Sequence, residues 1–124
     1  MGELKLGWPV WVGVVSEDLE AQHRFYRDVI GLPEKEAGDT WIEFDMGSGR
    51  TFELIARDPA ISQYVTGGYV VGFEVDDILA AVAELEARGV EQVSGIEGGP
   101  EANQYWCYFR DSEGHVFEIA QRIG

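Results

Sequence analysis

The segment Phe109–Gln121, FRDSEGHVFEIAQ, has a turn at its centre, Asp111-Ser112-Glu113-Gly114, with an apolar run on either side. The run after the turn alternates around one carboxylate: Phe117, Glu118, Ile119. A carboxylate in the middle of a strand that otherwise reads as buried needs a compensating partner or a function, because uncompensated burial of charge is expensive. A shorter form of the same phrase, Phe52-Glu53-Leu54, stands in the first half of the chain.

Working outward from these two phrases, the chain reads as one pattern written twice. Val10–Val15, VWVGVV, is short, apolar and β-branched, which predicts a strand. Ser16 or Asp18 then caps a helix running to about Ile30, with Leu19, Tyr26 and Ile30 on one face and Phe25 and Val29 widening the stripe. Gly31 ends it and Pro33 blocks continuation. Thr40–Met46 alternates with period two, Gly47-Ser48-Gly49 turns the chain, and Thr51–Ala56 returns, which predicts a hairpin. After the polar segment from Arg57 to Gly68 the order restarts. Tyr69–Val75 is a strand, and Asp76 or Asp77 caps a helix with Ile78, Val82 and Leu85 on one face and Arg88-Gly89 at its end. A glycine-rich loop, Ser94–Pro100, leads into the strands Gln104–Arg110 and His115–Gln121. The copies correspond in detail: Gly13 matches Gly72, and Phe52-Glu53-Leu54 matches Phe117-Glu118-Ile119.

The chain has 124 residues, enough for one domain with a sizeable core. A single cysteine, Cys107, excludes an intramolecular disulfide and suits a reducing compartment. The first residues, MGELKLGWPVW, hold no apolar run of signal-peptide length, and no stretch is long and apolar enough to span a bilayer, so a cytoplasmic protein is expected. The formal net charge of −14 repels nucleic acid and anionic lipid and concentrates cations. No nucleic-acid or membrane partner is therefore expected.

Two phrases, Phe25-Tyr26-Arg27-Asp28-Val29-Ile30-Gly31-Leu32 and Phe109 through Ile119, resemble the vicinal oxygen chelate superfamily, the glyoxalase, bleomycin resistance protein and extradiol dioxygenase group. The resemblance spans about Val10 to Gln121. It implies an α+β fold of two tandem βαβββ modules whose sheets join into an incomplete barrel, with helices outside and the ligand in the cup. One domain over residues 1–124 is expected, with module one at about 8–57, a linker at about 58–68 and module two at about 69–122. The family pattern has one more short strand per module than the periodicity shows, placed near Lys35 and near Glu91–Ser94. A homodimer is also implied.

Metal-using members of that superfamily take ligands from the first and last strands of each module. Carried onto this chain, those positions are Trp11, Glu53, Val70 and Glu118, of which Trp11 and Val70 offer no donor. Glu53 and Glu118 alone are weak candidates for a divalent metal (Zn, Ni, Mn or Fe), since an open metal site usually takes three protein donors. No cofactor is favoured. If Glu53 and Glu118 converge, one should hold its proton to higher pH and could act as acid or base.

Strand alternation turns these positions into a lining. Trp11, Gly13, Glu53, Ile55, Val70, Gly72, Glu74, Glu118 and Ala120 share one face, joined by Trp41, Glu43, Asp45, Trp106, Tyr108 and Arg110 from the neighbouring strands. The opposite set, Val12, Val14, Ile42, Phe44, Phe52, Leu54, Val71, Phe73, Val75, Cys107, Phe109, Phe117 and Ile119, is uniformly apolar, as a core face must be. The expected ligand-binding residues are Trp11, Trp41, Glu43, Glu53, Val70, Glu74, Trp106, Tyr108, Arg110 and Glu118. An aromatic, acidic cup suits a small cationic or aromatic ligand held without a metal, as in antibiotic sequestration. The alternative is a lyase, isomerase or dioxygenase that uses a metal or an acid–base carboxylate.

Overall fold

The computed structural model describes residues 2–57 and 68–123. The expected linker at 58–68 lies, apart from Gly68, outside the described residues. The chain divides into two compact units, Val10–Val71 and a second made of Met1–Pro9 with Gly72–Gly124.

The first unit holds β1 (Pro9–Ser16), α1 (Leu19–Arg24), a π-helical turn (Phe25–Ile30), β2 (Glu34–Ala37), β3 (Trp41–Asp45) and β4 (Thr51–Ala56). Strand β1 runs parallel to β4, with Gly13 opposite Glu53. Strand β4 pairs antiparallel with β3, which pairs antiparallel with β2. Asp18 caps α1 by accepting from the Ala21 amide at 3.0 Å. The expected α-helix to Ile30 changes at Phe25 into a π-helical turn, in which the Gly31 amide bonds the Tyr26 carbonyl at 3.0 Å. The wider winding shifts the phase of the stripe. Leu19 and Tyr26 still pack on the sheet, but Phe25, Val29 and Ile30 are exposed, contrary to the helical reading. Gly31 ends the turn at φ 83°, a left-handed conformation suited to glycine.

The second unit holds β5 (Tyr69–Glu74, the last three residues), α2 (Ile78–Ala87), β6 (Glu97–Gly99), a 3-10 turn (Pro100–Ala102), β7 (Gln104–Arg110) and β8 (Val116–Arg122). Strand β5 is parallel to β8, with Gly72 opposite Glu118, so the Gly–Glu register of the first unit recurs. Strand β8 pairs antiparallel with β7, and β7 with β6. Asp77, not Asp76, caps α2 through the Ala80 amide at 3.1 Å. The turn between β7 and β8 is tied by Asp111, whose Oδ1 accepts from the amides of Glu113 and His115, both at 2.9 Å. Of the two extra strands, β2 lies where expected. The other is β6 at Glu97–Gly99, inside the stretch read as a glycine-rich loop, while Gln92 makes only an isolated bridge to Phe109.

Each unit has its own core between helix and sheet. In the first, Val14, Ile42, Phe44 and Leu54 pack with Leu19, Tyr26 and Phe52. In the second, Val75, Cys107, Phe109 and Ile119 pack with Ile78, Ala81 and Leu85 of α2. Phe44, Leu54, Phe109 and Ile119 are fully buried, so the apolar face falls where alternation put it. Truncating Leu54 or Ile119 to alanine costs about 2–5 kcal/mol each. The opposite face of each sheet is thereby left for the polar and indole side chains.

Candidate functional site

In the first unit the face away from α1 carries a row of carboxylates across three strands. Glu53 on β4 stands opposite Glu43 on β3, and Glu43 opposite Glu36 on β2. Like charges in directly opposed cross-strand positions repel, so this row is a local cost that the fold retains. Trp11 closes its β1 end. Its indole N–H donates to Glu53 Oε1 at 2.7 Å, and its ring is 7% exposed. The ring lies over Gly13, where any Cβ would collide with it. Glycine in this strand is therefore the seat of the indole, and the indole sits beside the carboxylate that Gly13 faces in register.

Burial, first of all, pushes the Glu53 carboxyl up to about 7, and the field of Glu43 adds to the rise; the Trp11 N–H and Lys35 oppose it. Burial and Glu36 likewise raise Glu43, against the pull of Lys35. The source of the perturbation is thus desolvation and the neighbouring row. Lys35 reaches this face because β2 carries an irregularity between Glu34 and Glu36, and its Nζ donates to Thr51 Oγ1 at 3.3 Å. Trp41, two residues before Glu43 on the same strand face, lies against Gly38. Asp45 ends the strand, exposed, and accepts from the Gly47 amide at 2.8 Å.

In the second unit the corresponding row is Gly72, Glu118 and Tyr108. Glu118 and Tyr108 are each 5% exposed. Trp106 repeats the indole–carboxylate arrangement, donating its N–H to Glu97 Oε2 at 2.9 Å and lying over Gly98. Two expected lining residues already hold ion pairs. Arg110 bonds Glu91 at 3.3 Å and the Gly114 carbonyl at 3.1 Å. Glu74 is ion-paired with Arg122 at 2.6 Å. Val70, in the first unit, is buried at 4% exposure and offers only an isopropyl group.

Sequence reasoning did not select Lys35, Glu36, Glu97 or Arg122. Glu36 and Glu97 lie on short strands whose side chains show no alternation, and Lys35 depends on the irregularity in β2. Arg122 could have been found, since it continues the alternation Glu118, Ala120, Arg122 along β8.

These residues do not fit a metal ion of the kind the superfamily resemblance suggests. An indole N–H donates and leaves no lone pair for a cation, and at Trp11 it already occupies one Glu53 oxygen. Among the described residues no group of three or more His, Cys, Asp and Glu side chains is placed to hold a metal. His23 pairs with Glu34 on the helix side of the first unit, and His115 lies near Glu113 at the last turn.

The family model of the Glyoxalase/Bleomycin resistance protein/Dioxygenase superfamily matches residues 8–119. No curated protein sequence matches the chain. Among solved structures, methylmalonyl-CoA epimerase from Mycobacterium tuberculosis is 21% identical, with a TM-score of 0.69 over 96% of this chain and 88% of that one. A variant of Streptomyces coelicolor methylmalonyl-CoA epimerase in complex with 2-nitronate-propionyl-CoA is 17% identical, with a TM-score of 0.72 over 97% of this chain and 100% of that one. A superfamily member from Vibrio splendidus 12B01 is 17% identical, with a TM-score of 0.67 over 96% of this chain and 99% of that one. At these identities the likeness shows the fold alone.

Proposed function

The chain belongs to the Glyoxalase/Bleomycin resistance protein/Dioxygenase superfamily, and we propose that within it this protein binds a small cationic or aromatic molecule on its acidic, indole-bearing face without using a metal. The observation that carries this reading is the row Glu36–Glu43–Glu53 beside Trp11, with Glu53 desolvated enough to hold its proton to about 7. A row of crowded carboxylates is relieved by a cation, and aromatic faces add cation–π attraction of about 0.5–2 kcal/mol. The net charge of −14 draws cations toward the protein. We place the protein in the cytoplasm as a homodimer with no nucleic-acid or membrane partner; among the described residues no helix is long and apolar enough to cross a membrane.

The test is thermal shift and calorimetry against a panel of small cations. Saturable stabilisation, stronger above pH 7 than at pH 5, supports the reading, because a cation selects the ionised Glu53. Silence across the panel sinks it. A second reading has one observation in its favour: a carboxyl group titrating near 7 suits proton transfer at neutral pH. Two of the similar structures are epimerases, and an acid–base isomerase or lyase built on Glu53 is that alternative. Turnover lost in E53Q would favour it over sequestration.

A further inference from the structure

Three of the four tryptophans lie on glycines: Trp11 on Gly13, Trp41 on Gly38 and Trp106 on Gly98. Trp11 and Trp106 spend their N–H groups on Glu53 and Glu97. Trp41 differs, and its seating shows how its ring is turned. A Cβ on Gly38 would stand 2.5 Å from both Cε2 and Nε1 of the Trp41 indole, and 2.9 Å from Cζ2. Cε2 is set back between Nε1 and Cζ2 at the rim of the ring. An edge-on approach would therefore meet those two atoms first. Equal approach to Cε2 puts the glycine against the flat of the indole, and the opposite flat faces away from Gly38. The ring is half-buried. Glu43 stands on the same side of β3 two residues on, and Ile55 stands opposite Trp41 on β4.

We propose that Trp41 is the stacking platform of the ligand site and that the ligand is a planar monocation, an amidinium or a protonated heteroaromatic, lying flat on the indole with its charge at Glu43. The inference rests on the binding function proposed above and narrows it. A flat, rigid surface one side-chain spacing from a carboxylate rewards a molecule that is both planar and charged. An alkylammonium covers less of the ring, and a neutral aromatic leaves Glu43 uncompensated. Gly38 belongs to the device, because any side chain there would lift the ring from its seat.

The experiment is calorimetric titration of the full chain with benzamidine and proflavine as planar cations, butylammonium and tetramethylammonium as non-planar ones, and indole as a neutral plane. Planar cations should bind at least tenfold more tightly than either other class. W41L and G38A should each weaken them about 5- to 30-fold, and W41F should hold within a few-fold of the wild type. Circular dichroism checks folding, and G38A decides if W41L does not fold. Non-planar cations binding as tightly as planar ones would overturn this inference and leave the broader function standing. Unchanged affinity in a folded W41L or G38A would also overturn it. No binding by any cation would overturn both.

Discussion

Replacing Glu53 by glutamine should make the protein more stable at pH 8 while changing it little at pH 5. An ordinary glutamic acid ionises near 4.5, whereas burial holds the Glu53 carboxyl protonated to about 7. Between those two values the folded state keeps a proton that the unfolded state has released. Stability from this group is therefore full below about 4.5 and falls as pH rises to about 7, since the unfolded state binds fewer protons there. The interval corresponds to about 3 kcal/mol, at about 1.4 kcal/mol per pH unit. Glutamine keeps the length of the side chain and an oxygen to accept from the Trp11 N–H, which lies 2.7 Å from Glu53 Oε1. It removes only the charge. Allowing for relaxation around the carboxylate, E53Q should gain about 1–3 kcal/mol at pH 8 and less than about 1 kcal/mol at pH 5. Urea denaturation of wild type and E53Q at both pH values measures this directly. Parallel stability–pH curves for the two proteins would refute the burial argument, and a loss of stability in E53Q at pH 8 would reverse it.

Other substitutions probe the same architecture. G13A should displace the Trp11 indole, break its bond to Glu53 and cost about 1–3 kcal/mol, read as a lowered urea midpoint with an unchanged slope. D77A should cost about 1 kcal/mol, because the Ala80 amide loses its cap, while D76A should be nearly silent. Binding of a cation beside Glu53 should release protons near pH 7, so calorimetry in two buffers of different ionisation enthalpy should give different apparent heats. K35M removes the one lysine whose field opposes protonation of Glu53 and Glu43, and it should move the carboxyl titration near 7 upward in a carbon-13 NMR experiment.

The sheet faces were legible because one of them is unmixed. Phe44, Leu54, Phe109 and Ile119 leave no room for a register slip, so Gly13–Glu53 and Gly72–Glu118 fall opposite one another as the duplicated phrases imply. The caps at Asp18 and Asp77 follow from local chemistry and were equally accessible. The remainder depends on contacts that periodicity does not encode. A π-helical turn leaves the 3.6-residue period, so Ile30 and Val29, apolar and well spaced, are exposed. Strand β6 is Glu97-Gly98-Gly99, with too few side chains to alternate. The irregularity in β2 brings Lys35 toward Thr51, and only the pairing with β3 reveals it. Burial, and then Glu43, raise the carboxyl of Glu53. Its neighbours in the row come from a hairpin whose cross-strand register decides that Glu43, and not Asp45, stands opposite.

In the proposed function a cation is held by carboxylates and indoles with no metal between them. The most direct test is elemental analysis of the purified protein, joined to a benzamidine titration before and after dialysis against EDTA. The protein should carry no stoichiometric Zn, Ni, Mn or Fe, and its binding isotherm should be unchanged by EDTA and abolished in the double variant E43Q/E53Q. A metal at one equivalent per chain, with benzamidine binding lost on its removal and restored on its return, would contradict it.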